Sequence, residues 1–174
     1  MTDIPLLAIA AHSGTGKTTL LKQLIPLLNA MEIRVGIIKH THHDMDVDKP
    51  GKDSYELRKV GANQTLVASN TRWALMTETP EPQEPDLFFL AGRMDSSTLD
   101  LILVEGFKHE PVDKILLYRH RPGHHQEPDI DACTLAVASD RPLTLALPCL
   151  DLNQPAQIAA FIRDWLHRST GAGG

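Results

Sequence analysis

The segment AHSGTGKT, Ala11 to Thr18, gathers the residue types that hold a polyphosphate. It follows the pattern G-x-x-x-x-G-K-[ST], with Ala11 in place of the first glycine. Gly14 and Gly16 let successive backbone N–H groups turn inward as a nest for a phosphate. A helix beginning at Lys17 would aim its positive end at the same anion. The Lys17 ammonium can bridge two phosphate groups, and the Thr18 hydroxyl can ligate Mg²⁺. His12 and Ser13 lie inside this loop and join the candidate nucleotide contacts. Ala11 adds only a methyl group, which an ordinary φ accommodates.

Such a loop needs an acidic partner for the metal. LILVEG supplies Glu105 at the end of an apolar run, with Gly106 next to it. Glu stands here where Asp is usual, and a carboxylate at this point can hold a metal-bound water. Lys17 and Glu105 are therefore the catalytic candidates. No residue presents itself as a strong general base. Phosphoryl transfer rests mainly on positioning and charge neutralisation, so slow turnover is expected. For the base, one carboxylate can accept two adjacent N–H donors of guanine, whereas adenine shows a donor beside an acceptor. AVASD ends in Asp140, but Val137 and Ala138 stand where the guanine motif [NT]-K-x-D has its first two residues. Asp140 is either the guanine reader or a helix N-cap before Pro142.

The elements that must position these residues follow from pattern. PLLAIAA (Pro5 to Ala11) is a short apolar run, expected as a strand buried on both faces. Leu20, Leu24, Leu27, Leu28 and Met31 recur at helical spacing after Lys17, with Pro26 expected to kink or fray the end. RVGIIKH (Arg34 to His40) completes a βαβ unit. Thr41 to Lys52 is a polar loop, followed by a short helix from Ser54 to Val60 capped by Asp53 or Ser54. QTLVAS and RWALMTE look like two strands turning at Ser69-Asn70, and Asp86 to Met94 looks like a helix. LDLILVEG, KILLY and TLAVAS are expected strands, and Gln154 to Arg168 an amphipathic helix. Alternating strands and helices imply a three-layer α/β P-loop NTPase fold with a mostly parallel sheet plus an extra β-hairpin. We expect residues 1–169 as one domain and 170–174 as a flexible tail.

Composition sets outer bounds. The chain has 174 residues, 42% of them hydrophobic, which allows a core and argues against disorder. A net charge of −5 gives no general basic footprint for nucleic acid. The longest apolar run, Leu6 to Ala11, falls far short of the ~20 residues that span a bilayer. The N-terminus carries no signal-peptide pattern. Cys133 and Cys149 lie sixteen residues apart without a metal-type spacing, so a reducing cytoplasm is the default expectation.

AHSGTGKTTLL, KHTHHDMDVDKPGKDSYELRKVGA, LDLILVEGFKHE and AVASD, in this order, resemble the molybdopterin-guanine dinucleotide biosynthesis adapter protein B (MobB) family. The match runs from Pro5 to about Asp140, and the GKDS and VEGFKH stretches are its most specific parts. The resemblance implies a dimeric GTP-binding protein with weak GTPase activity. Its family role is to assist the guanylyltransferase that attaches GMP to molybdopterin. Carried over residue by residue, it implies phosphate contacts from Gly14, Thr15, Gly16, Lys17, Thr18 and Thr19, and Mg²⁺ support from Glu105. It places the Asp44–Asp48 loop where related GTPases respond to the γ-phosphate, making Asp46 or Asp48 a candidate metal or water contact. It also implies kinship with metal-insertion GTPases. A small-molecule kinase or ATP-dependent ligase on the same fold is the alternative.

His40, His42 and His43 cluster, as do His120, His124 and His125, but their spacing matches no recognised metal site. Lys39, His40, Lys108 and His109 instead suit a positive mouth for a nucleotide or the anionic phosphate of molybdopterin. Trp73 and Trp165 are expected to pack. A lone hairpin is marginal, so residues 64–78 must pack on their own subunit or join a homodimer interface.

Overall fold

The computed structural model describes residues 3–12, 14–41, 45–79, 81, 84–107, 109–120 and 128–171. The chain divides into two compact units, one of residues 1–40 and 86–174, the other of residues 41–85.

The first unit is a three-layer α/β structure. Its strands are β1 (Leu6–Ala11), β2 (Val35–Lys39), β5 (Leu101–Glu105), β6 (Lys114–Tyr118), β7 (Thr134–Ser139) and β8 (Cys149–Asp151). They form one sheet in the order β2-β5-β1-β6-β7-β8, and every pair is parallel. Helices α1 (Lys17–Ala30) and α4 (Pro155–Gly171) cover one face. Leu20, Leu24 and Leu28 of α1 and Ile158, Ile162 and Trp165 of α4 pack there on Leu7, Ile9, Leu103, Ile115 and Ala136. The short α3 (Leu87–Ala91) covers part of the other face, with Leu87 and Ala91 against Ala8, Ile38, Ile102 and Val104. Four of the five β5 residues are buried, because helices lie on both of its faces.

The order makes β1 the switch point. From β1 the chain first crosses through α1 to β2 on one side, and later β6 adds on the other. Ligands of open α/β sheets bind beyond the strand ends at such a point.

Several expectations change in detail. Pro26 lies inside α1, yet the helix continues to Ala30, since buried Leu24 and Leu28 flank the proline and hold both turns to the sheet. The sheet contains a strand the sequence did not announce: β8 has three residues, too few for a pattern, and β7 supplies its pairing. Helix α3 is shorter than expected, with Asp86 Oδ1 accepting from the N–H groups of Phe88 and Phe89. Helix α4 runs through Gly171, beyond the expected tail boundary, and Thr170 Oγ1 donates to the Leu166 carbonyl.

The second unit holds α2 (Asp53–Lys59) and an antiparallel hairpin of β3 (Gln64–Ala68) and β4 (Trp73–Thr77). The N-cap of α2 is Lys52, with no side-chain hydrogen bond, rather than Asp53 or Ser54. Arg58 is the only buried residue among those described in this unit. Its guanidinium donates to Asp46 and Asp48 at 2.7 Å each and to Glu78 at 3.2 Å. An ionic centre stands where a domain usually has an apolar one.

Candidate functional site

The phosphate loop lies between β1 and α1, as its sequence requires. Gly14 and Gly16 have φ of 75° and 101°, a left-handed backbone that glycine adopts without strain. Between them, Thr15 is 5% exposed, and its hydroxyl donates to the His12 carbonyl at 2.7 Å. Gly16 is the N-cap of α1 and has no side chain to cap it, and the first turn contains no acidic residue. A helix end of this kind, with its first-turn N–H groups and positive dipole, suits an anion. Lys17 Nζ donates to the Ala11 carbonyl at 3.1 Å, which ties the ammonium across the loop. Thr18 and Thr19 are exposed. His12 is exposed as well, and Ser13 lies outside the described residues.

The end of β5 meets this loop. Ala11, Lys17, Val104, Gly106 and Phe107 line a small cavity of about 30 Å³, so Lys17 and Gly106 come together as their motifs implied. Gly106 has φ of 98°, and a Cβ there would stand 2.9 Å from the His40 carbonyl oxygen. Only glycine fits this crossing of β5 past the end of β2. Glu105 is mostly buried, with Oε2 3.7 Å from Lys39 Nζ. Thr18 and Glu105 are both oxygen donors, the set a hard cation such as Mg²⁺ takes.

Asp140 follows β7, two strand positions from β1, or about 10 Å across the sheet. It caps no helix, since residues 141–148 are irregular and lead to β8. A cavity of about 350 Å³ opens here, lined by Ser139, Asp140, Arg141, Leu143, Asn153 and Gln157. Asp140 Oδ1 accepts the His120 N–H at 2.9 Å. Its Oδ2 lies 3.8 Å from Arg119 Nη1. Arg119 also reaches the phosphate loop, where Nε donates to the Thr15 carbonyl at 3.3 Å. Sequence reasoning missed Arg119: it has no motif, and it meets Thr15 from 104 residues away.

Asp46 and Asp48 belong to the second unit, both on Arg58, and the Arg58 hydrogen bond holds the Asp48 carboxyl below its ordinary pKa. His40 packs on Phe107 with ring centroids 5.2 Å apart. His42, His43, Asp44, Lys108, His124 and His125 lie outside the described residues. Among the described residues, no three His, Cys, Asp or Glu side chains are grouped to hold a metal. Trp165 is core, and its indole N–H donates to Asp113 at 2.8 Å. Trp73, expected to pack, is 66% exposed on β4. Both cysteines are free.

A sequence profile described as molybdopterin guanine dinucleotide synthesis protein B matches residues 6–140. The molybdopterin-guanine dinucleotide biosynthesis adapter protein of Escherichia coli K12 is 64% identical over 171 residues, 98% of each chain. That of Haemophilus influenzae is 52% identical, covering 98% of this chain and 94% of the relative. A crystal structure of molybdopterin-guanine biosynthesis protein B superposes with a TM-score of 0.70 at 26% identity, over 92% of this chain and 99% of that one. Bacillus subtilis MobB shares the fold, with a TM-score of 0.71 at 20% identity over 92% and 97% of the two chains.

Proposed function

This chain belongs to the molybdopterin guanine dinucleotide synthesis protein B family, and from that premise we propose that it is a GTP-binding adapter with weak GTPase activity in molybdopterin-guanine dinucleotide biosynthesis. The observation that carries nucleotide binding is the loop with two left-handed glycines, joined to an uncapped α1 and crossed by Lys17. The triphosphate occupies the Gly14–Thr19 loop, and Asp140 accepts from the guanine edge in the cavity beyond β7 and β8. Two strand spacings, about 10 Å, suit the reach from a β-phosphate to its base. Thr18 and Glu105 supply the oxygen donors for Mg²⁺, whose chemistry there is charge neutralisation at the phosphates. Asp48 remains a candidate metal contact only if its carboxylate leaves Arg58. Lys17 and Glu105 are the groups that act on the phosphates. Phosphoryl transfer here rests on positioning and charge neutralisation, which fits slow hydrolysis and an adapter's role.

The adapter role rests on relatives with that name. The partner is the guanylyltransferase that joins GMP to molybdopterin. We also propose a homodimer joined through the hairpin. Leu66, Trp73 and Leu75 are exposed on one hairpin face, with Leu66 directly opposite Leu75. A contiguous apolar face of this kind calls for a partner surface. Residues 1–169 act as one functional domain, in the cytoplasm, where the two free cysteines stay reduced. Among the described residues no helix is long and apolar enough to cross a membrane.

Calorimetric titration with Mg·GTP and Mg·ATP tests the site. Wild type binds GTP in preference, and Lys17→Ala weakens binding by about tenfold or more while its circular dichroism is unchanged. Equal affinity in Lys17→Ala would falsify the phosphate-loop assignment. Phosphate release measured with and without the guanylyltransferase then separates the adapter from a kinase, which needs a phosphoryl acceptor for rapid turnover.

A further inference from the structure

Arg119 is the one cation that touches both halves of the nucleotide site among the described residues. Its Nε donates to the Thr15 carbonyl at 3.3 Å, inside the loop between the two left-handed glycines. Its Nη2 stands 4.0 Å from where a Cβ on Gly16 would be. Its Nη1 faces Asp140 Oδ2 at 3.8 Å, while the neighbouring His120 N–H donates to Asp140 Oδ1 at 2.9 Å. The start of the segment after β6 therefore holds one Asp140 oxygen by a hydrogen bond, faces the other with the Arg119 charge, and holds the phosphate loop by a carbonyl.

Each carboxylate oxygen has two lone pairs. One can accept from the protein and the other from a base, so these contacts bias the carboxylate's orientation and leave lone pairs for a base. A carboxylate that accepts N1–H and the 2-amino group together must keep its plane aligned with the purine edge. Free rotation would lose the second bond first. We propose that Arg119 is a positioning residue for guanine specificity: anchored on the phosphate loop, it sets the orientation in which Asp140 reads the 2-amino edge. Base selection is thereby tied to the loop that holds the phosphates. This rests on the phosphate-loop and Asp140 assignments above.

The test compares GTP with inosine triphosphate, which lacks the 2-amino group but keeps the same ribose and phosphates. The ratio of the two dissociation constants cancels every effect confined to the phosphates. Wild type is expected to favour GTP by about tenfold or more, and Asp140→Asn to abolish most of that preference. Arg119→Ala should lower the ratio by roughly threefold or more, with no further change when combined with Asp140→Asn. Arg119→Lys keeps the charge but loses the fork and should restore the ratio only in part. Melting curves confirm that each variant is folded, and Arg119→Gln replaces Arg119→Ala if the latter is not. If Arg119→Ala and Arg119→Gln weaken both nucleotides equally, Arg119 is a phosphate contact only and the proposal is overturned. It is overturned equally by a wild-type ratio near one. In that case Lys17-dependent binding still upholds the phosphate loop. Lys17-independent binding of both nucleotides would instead sink the phosphate-loop reading itself.

Discussion

Lys17 and Gly106 show how single residues define this site. The Lys17 ammonium, bonded to the Ala11 carbonyl, lies across the glycine-rich loop. Gly106 is fixed by a backbone approach of 2.9 Å to the His40 carbonyl and a left-handed φ. Gly106→Ala must relieve both, and we expect a loss of roughly 2–4 kcal/mol of stability in urea unfolding. An unchanged midpoint would contradict the close approach. Asp100 gives a pH prediction. The Arg34 side chain and backbone N–H donate to its carboxylate at 2.8–2.9 Å, and this holds its pKa at about 2, against an ordinary 3.8. A carboxylate with a depressed folded pKa stabilises fully above its unfolded value, and the gain disappears as pH falls through the folded one. The melting temperature of Asp100→Asn should lie below wild type at pH 7, by about 2 °C for so exposed a pair. That gap should close between pH 4 and pH 2. A constant gap would show that the pair does not titrate as a unit. Of these residues, sequence pattern revealed Lys17 and Gly106 through their motifs. It had no means of pairing Arg34 with Asp100 across 66 positions.

At the scale of elements, α1 ends in a turn whose residue choice is not optimal. The Ile33 N–H reaches back to Leu28 O at 3.0 Å and the Glu32 N–H to Asn29 O at 3.0 Å, with Glu32 at φ 63°. Glycine is favoured at such a left-handed helix end. Glu32→Gly should therefore gain about 0.5–1 kcal/mol, which differential scanning calorimetry would register as a melting point higher by about 1–4 °C. A lower melting point would mean that the Glu32 side chain supplies something its backbone strain conceals. The second unit depends on Arg58 in a similar single-point fashion. Replacing it with Met leaves Asp46, Asp48 and Glu78 facing one another with no cation. Hydrogen exchange in β3 and β4 and trypsin cleavage within residues 41–85 should accelerate, while α1 and β5 keep their protection. Uniform protection in the variant would show that the ionic centre is dispensable.

For the whole molecule, the exposed hairpin face makes the assembly prediction. Leu66, Trp73 and Leu75 are 60%, 66% and 50% exposed in the single chain. Light scattering at micromolar concentration should give a dimer for wild type and a monomer for Leu66→Ser/Trp73→Ser, with Lys17-dependent GTP binding retained. A dimer that survives both substitutions would move the interface elsewhere. The molecule's mild net charge of −5 fits this picture, because Lys17 and Arg119 concentrate positive charge at the phosphate loop while the average stays acidic.

Local physics determined what the sequence alone could determine. The apolar runs of β1, β5 and β7, the leucine periodicity of α1 and the glycine-rich loop between them each depend on neighbours a few residues away. For these reasons the α/β class and the strand–glycine-rich loop–helix arrangement were legible from one chain. The tertiary structure alone decided whatever depends on distant partners. Pairing with β7 makes Cys149–Asp151 a strand, and contact with Thr15 and Asp140 gives Arg119 its place. Arg58 became the centre of the second unit by gathering three carboxylates from two separate stretches of chain. Such contacts depend on geometry closed by the whole fold, and a one-dimensional pattern has no term for them.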